Sequence, residues 1–138
     1  MPTSDVGAPR VLLVDDDPAV AHVIATLLRR SGYTVVAAGS GQDAAHLLDE
    51  PFDALVLDLR LPGMRGDAFY YLATARQPAL NGRALFLTGD ITEQAEELIR
   101  ATGCRWMLKP FQFADMLAIL QEMAPLPRAT PERIPRVS

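Results

Sequence analysis

Three aspartates in a row (Asp15, Asp16, Asp17), a further one at Asp58, a hydroxyl at Thr88 and an ammonium at Lys109 each follow directly on a short apolar run. Carboxylates packed together repel one another until a proton or a cation relieves them. A hard divalent cation with oxygen ligands is the natural counter-charge. Magnesium in particular uses one or two carboxylates and keeps several waters. A metal beside a carboxylate also prepares a phosphoryl site, because it neutralises oxygens of the group in transfer while the protein supplies positioning. An aspartate can take such a group covalently. Lys109 is informative for another reason: of 13 basic residues it is the only lysine, the rest being arginine. Arginine is a planar fork and lysine a compact point charge, so a site that needs the second kind would hold it against that bias.

The elements that must position these groups alternate along the chain. Apolar runs at Val11–Val14, Tyr33–Ala38, Ala54–Leu57, Ala84–Leu87 and Trp106–Leu108 read as strands. Each is followed by a segment with apolar residues at helical spacing. Asp17 caps the first, Pro18 stands at its first position and Gly32 ends it. That helix offers Val20, Val23, Ile24, Leu27 and Leu28 as its inward face. The second starts near Ser40 and presents Ala44, Leu47 and Leu48. The third covers about 67–76 with Phe69, Leu72 and Ala73 inward. Thr92 caps the fourth, which carries Ala95, Leu98 and Ile99. The fifth covers about 112–123 with Phe113, Met116, Leu117 and Leu120 on one side.

The strands at Val11, Ala54 and Ala84 are continuously apolar, as in strands buried on both faces. Alternating strand and helix then predicts an α/β fold, a five-stranded parallel sheet with helices on both sides. In such a sheet the strand ends carrying Asp15, Asp16, Asp58, Thr88 and Lys109 share one edge, where ligands of open α/β folds bind.

Composition bounds the rest. The chain carries a formal net charge of -4; the segment after Met123 contributes +2 through Arg128, Glu132, Arg133 and Arg136, leaving -6 for the remainder. A general nucleic-acid-binding role therefore has no electrostatic support. No apolar run approaches a membrane span, and the first ten residues lack the apolar core of a signal peptide. Cys104 stands alone, which leaves neither an intrachain disulfide nor a cysteine metal site, and His22 and His46 stand away from the strand ends, which argues against zinc. A cytoplasmic location is the default. Residues 1–9 read as a disordered lead-in, 10–124 as one domain, and 125–138, punctuated by Pro125, Pro127, Pro131 and Pro135, as a tail or linker.

VLLVDDDP, LVLDLRLPG, LFLTGD and MLKPF, in that order over roughly residues 10–124, resemble the four signature segments of response regulator receiver domains. The resemblance implies a flavodoxin-like doubly wound sheet of strand order 2-1-3-4-5. It implies that Asp58 is the phosphoacceptor and that Asp16 binds Mg2+, or Mn2+ in its place, directly. Asp15 would act largely through a water, and the backbone carbonyl of Arg60 would be a further ligand. Thr88 and Lys109 would contact the phosphoryl group, and the Lys109–Pro110 bond would be cis. Trp106 stands at the switch position where the family usually has Tyr or Phe. Arg60 and Asp90, two positions after Asp58 and Thr88, fall where the family tunes the lifetime of the phosphorylated state. An exposed ion pair between them would slow attack by water.

The implied donor is a phosphohistidine on a histidine kinase or histidine phosphotransfer protein, and acetyl phosphate could replace it. The implied output is binding of a protein target through the face of the fourth helix, fifth strand and fifth helix. No direct nucleic-acid or membrane contact is expected, and the state is monomer or phosphorylation-dependent homodimer. The chain would catalyse only its own phosphorylation and slow autodephosphorylation. A stand-alone regulator, a relay shuttle and a receiver from a hybrid histidine kinase all fit the sequence. Outside that class stand an aspartyl-phosphate phosphatase and a phosphorylation-independent binding module. A nucleotide-binding domain lacks its glycine-rich loop after the first strand. Cys104 and the helical His22 and His46 have the simpler reading of packing and surface residues, and Glu93, Glu96 and Glu97 that of a solvated helix face.

Overall fold

The computed structural model describes residues 7–127; the first six residues of the expected lead-in and residues 128–138 of the expected tail lie outside them. Five parallel strands form one sheet of order β2-β1-β3-β4-β5. They are β1 (Arg10–Val14), β2 (Thr34–Ala38), β3 (Ala54–Asp58), β4 (Ala84–Thr88) and β5 (Arg105–Leu108), joined by α1 (Pro18–Ser31), α2 (Gly41–His46), α3 (Gly66–Arg76) and α4 (Glu93–Thr102), with α5 (Phe113–Met123) closing the series. This is the doubly wound arrangement the sequence predicts. Among the described residues no helix is long and apolar enough to cross a membrane.

Strand periodicity divides the core into two layers. Leu12, Val14, Leu55, Leu57, Ala84 and Phe86 pack against α2, α3 and α4. Their alternates Val11, Leu13, Ala54, Val56, Leu85 and Leu87 pack against α1 and α5 through Ile24, Leu28, Met116 and Leu120. Successive side chains of a strand point to opposite faces, and helices on both sides leave the three central strands no wet face. β5 differs. It is an edge strand whose Trp106 and Leu108 stay exposed at 38% and 44%.

The helix starts follow the residues expected to cap them. The Asp17 carboxylate accepts from the amides of Ala19 and Val20, Ser40 Oγ from that of Asp43, and Thr92 Oγ1 from that of Ala95. Gly32, at φ 115°, ends α1 in the left-handed conformation that glycine adopts without strain. α2 is shorter than its apolar spacing suggests and passes into a 3-10 turn at Leu47–Asp49. On α1, Val23 belongs to the expected inward face but is 54% exposed, because the buried stripe runs through Ile24, Ala25 and Leu28.

The packed chain runs past α5. Tyr33 donates its phenol to the Ala124 carbonyl at 2.9 Å, and Leu126 packs on the layer beneath α1. Ala124 is buried and Leu126 lies beside Gly32, so packing continues past the expected domain end at 124, while Pro125 and Pro127 are exposed.

Gly66 sets how closely α3 approaches the sheet. Its amide donates to the Leu59 carbonyl at 2.9 Å, and a Cβ there would stand 2.4 Å from the backbone oxygen of Asp58. Backbone cannot yield as a side-chain tip would. Gly66→Ala is expected to cost about 1–3 kcal/mol of stability in urea unfolding, the usual range for overpacking. Gly89→Ala, where an added Cβ meets nothing within 4 Å, should stay within about 0.5 kcal/mol.

Candidate functional site

The register of β1 on β3 pairs Val14 with Leu57, so the next residues, Asp15 and Asp58, stand side by side where the two strands end. β1 is also where strand order reverses, with β2 on one side of it and β3 on the other. Asp15 and Asp58 share the strand phase of Leu13 and Val56, which face α1 and α5. Lys109 follows β5 in the phase of Met107, which packs on that same layer.

The Lys109 ammonium lies 3.2 Å from Asp15 Oδ2 and 3.2 Å from Asp58 Oδ2. These side chains are nearly out of water, at 0% exposure for Asp15 and 9% for Asp58. The second oxygen of each is also held: Asp15 Oδ1 accepts from the amide of Asp17 at 2.9 Å, and Asp58 Oδ1 from that of Arg60 at 3.0 Å. Asp16 is exposed and forms no hydrogen bond or ion pair among the described residues. Carboxylate oxygens of Asp15, Asp16 and Asp58 all fall within 4.8 Å of one another. An all-oxygen set of this kind, with Asp16 uncommitted, fits a hard dication such as magnesium.

Burial pushes the Asp58 carboxyl above its ordinary value, against the Arg60 amide and the Lys109 charge, which lower it; Asp15 raises it further. For Lys109 burial works against the ammonium, but the charges of Asp58 and Asp15 outweigh it and raise its pKa. The site therefore keeps its ammonium charged and holds its central carboxylate at a cost.

Thr88 is at the expected strand end but does not join this group. It has the phase of Ala84 and Phe86, which face α3 and α4. Its wholly buried hydroxyl donates to the Asp90 carbonyl at 2.6 Å. Arg60 and Asp90 do pair, Nη2 to Oδ1 at 2.9 Å, with both side chains 59% exposed. The Lys109–Pro110 peptide is cis. His22 and His46 are exposed and Cys104 is half-buried. Sequence reasoning missed Gly66, because a glycine opening a helix gives no sign of what backbone it lies against.

The chain matches the family model described as "Response regulator receiver domain" over residues 11–121. It belongs to the response regulator receiver family. It is 31% identical over 127 residues to the transcriptional regulatory protein PdtaR of Mycobacterium tuberculosis, across 87% of this chain and 60% of that protein. It is 32% identical over 130 residues to the transcriptional regulatory protein ZraR of Salmonella typhimurium, across 93% of this chain and 29% of that one. The chain thus spans less than two thirds of the length of these relatives. Among solved structures, chemotaxis protein CheY4 of Vibrio cholerae is similar at TM-score 0.76 and 27% identity, over 84% of this chain and 98% of that one. The receiver domain of sensor histidine kinase PA1611 of Pseudomonas aeruginosa, with a magnesium ion coordinated in its active-site cleft, is similar at TM-score 0.75 and 28% identity, over 85% and 98%.

The raised pKa of Asp58 gives this receiver domain a defined pH dependence. A carboxyl whose pKa is raised by folding destabilises the fold where it is ionised, and the penalty disappears as pH falls through that pKa toward the ordinary 3.8. In metal-free buffer, Asp58→Asn is therefore expected to melt above the parent protein at neutral pH, with the gap closing as acid protonates Asp58. Thermal scans from about pH 8 down to about pH 4 check this. A lower melting temperature for Asp58→Asn at neutral pH would mean that the Lys109 contact outweighs the cost of burial.

Proposed function

We propose that this receiver domain of a two-component response regulator takes a phosphoryl group onto Asp58 from a phosphohistidine. The observation that carries the reading is the placing of Asp58: a nearly buried carboxylate with Lys109 on one oxygen, the Arg60 amide on the other, and Asp15 and Asp16 beside it. In the transfer, the bond between phosphorus and the imidazole nitrogen breaks and one to an Asp58 oxygen forms, while the freed imidazole takes a proton from water. Asp16 and Asp58 would hold Mg2+ (or Mn2+) directly, Asp15 through a water, and the Arg60 carbonyl would complete the protein's share. When bound, the ion offsets negative charge on the oxygens of the group in transfer. Lys109 stays charged and offers its ammonium to the same oxygens. Thr88 supplies a hydroxyl once it leaves Asp90, and Trp106 on the neighbouring strand takes part in the switch.

Receiver domains interact with histidine kinases or phosphotransfer proteins. Here an open, mostly apolar groove of about 620 Å³ adjoins Lys109, lined by Val20, Val23, Ile24, Pro110, Phe111 and Phe113. It gives a protein donor apolar surface beside Asp58 and explains why Val23 can face outward. The reading extends to a cytoplasmic domain, residues 10–124, that catalyses nothing beyond its own phosphorylation and slow dephosphorylation. The output is a protein target bound through α4, β5 and α5.

Incubation with acetyl phosphate and Mg2+ followed by intact-mass measurement tests the chemistry. One added phosphoryl is expected, absent without the metal and absent in Asp58→Asn. Unchanged mass, or a phosphoryl that survives Asp58→Asn, would refute the assignment. The Arg60–Asp90 pair over the site is expected to slow attack by water. The double variant Arg60→Ala, Asp90→Ala should shorten the half-life of the phosphorylated protein by about two- to fivefold, as suits an exposed pair, read by phosphate release.

A further inference from the structure

Two walls flank the carboxylates proposed to hold the dication, and both rest on one short stretch, residues 38–42. On one side the Asp15 amide donates to the Ala38 carbonyl at 3.1 Å, and Asp16 lines a small open cavity together with Ala38 and Gly39. On the other side runs the loop 59–65 between β3 and α3. It carries the Arg60 amide that holds Asp58 Oδ1, and it lies against the first turn of α2.

The loop meets that turn at two points, and each sets a glycine against a side chain. A Cβ on Gly41 would stand 3.0 Å from Met64 Cβ and 3.1 Å from Met64 Sδ. A Cβ on Gly63 would stand 2.7 Å from Gln42 Nε2. Of the two parties, α2 is the firmer. Ser40 Oγ caps it through the Asp43 amide, and Ala44 is fully buried. Leu59 and Leu61 anchor the loop to the core, but Arg60, Pro62 and Gly63 are exposed. The loop is therefore the side that yields. A thioether can swing aside by rotation, whereas a Cβ moves only with its backbone. An added methyl at Gly41 would thus shift the loop by a few tenths of an ångström, and Arg60 with it.

We propose that Gly41 and Met64 are positioning residues that set the width of the cation site and with it the preference for Mg2+ over a larger dication. The proposal rests on the reading that Asp16, Asp58 and the Arg60 carbonyl share the ion. Magnesium requires near-ideal octahedral oxygens at about 2.0–2.1 Å, while calcium accepts irregular sets at about 2.3–2.6 Å. A shift of a few tenths of an ångström lies within the tolerance of calcium and outside that of magnesium. The seat of Met64 on Gly41 acts on the ion through the loop and touches neither the ion nor Asp58.

Calorimetric titration of the metal-free protein with Mg2+ and, separately, with Ca2+ tests this. Gly41→Ala should weaken Mg2+ binding about tenfold, the lower end of the losses that follow when the support of a metal ligand is disturbed. Ca2+ binding should change by less than about twofold. Alanine suits a helix better than glycine, so a loss at Gly41→Ala does not come from fraying of α2. Met64→Ala, which empties the seat, should show the same split between the ions. Met64→Leu, which keeps an apolar side chain of similar volume, should bind both as the parent does. Should Gly41→Ala fail to fold, Met64→Ala carries the test alone. Equal losses for the two ions overturn the proposal, because they mark general damage to the site. A parent protein that takes up no Mg2+ refutes the metal reading itself. Normal uptake that is indifferent to both truncations refutes the seat alone.

Discussion

Asp15 and Asp58 are two carboxylates on adjacent strands, almost removed from water, with the Lys109 ammonium 3.2 Å from each. Two buried negative charges this close would otherwise drive one of them to protonate. The ammonium comes from the sheet edge, past the full width of β4, on a four-carbon stem that an Arg fork would not replace as a compact charge. Three of the five strand ends, those of β1, β3 and β5, contribute to that balance. β1 and β3 must be neighbours to place the carboxylates together, β5 must lie on the far side of β4, and α3 must come close enough for Gly66 to touch the Asp58 backbone.

The balance is incomplete, and the deficit is informative. Lys109 is one charge against three carboxylates, since Asp16 stands beside the pair without a partner among the described residues. Burial of Asp58 outweighs the groups that favour its ionised form. A cluster that remains short of positive charge fits the dication proposed for it. An apolar core of equal volume would be cheaper to keep, so the arrangement is understandable as preparation for chemistry rather than as a source of stability.

Hydrogen bonds join the site to the exposed segment that follows β4. The central strands are held from both faces by close-packed side chains, which leaves little room for graded movement. The segment between β4 and α4 is exposed and held at few points. Under the proposed function, a change at Asp58 would reach α4 and β5 by way of Thr88 and Lys109, whose backbones are joined. Trp106 and Leu108 stand half-exposed on that same edge strand.

The order of elements, the caps and the polar residues at the strand ends were legible from one sequence, because each depends on local chemistry. Continuous apolar runs mark strands covered on both sides, Asp17, Ser40 and Thr92 satisfy the first amides of their helices, and Gly32 permits a left-handed turn. The exposed Arg60–Asp90 pair was expected only through the family resemblance, and the structure forms it. What only the tertiary structure decided was how those groups meet. The phase of each strand relative to the layers turns Asp15, Asp58 and Lys109 together and sends the Thr88 hydroxyl toward Asp90 instead. The approach of α3 leaves no room for a side chain at Gly66, and the seating of α1 leaves Val23 outside. Sequence spacing fixes which residues share a strand or a helix; which of them touch depends on register and on the separation of packed layers, and those are set by the whole core at once.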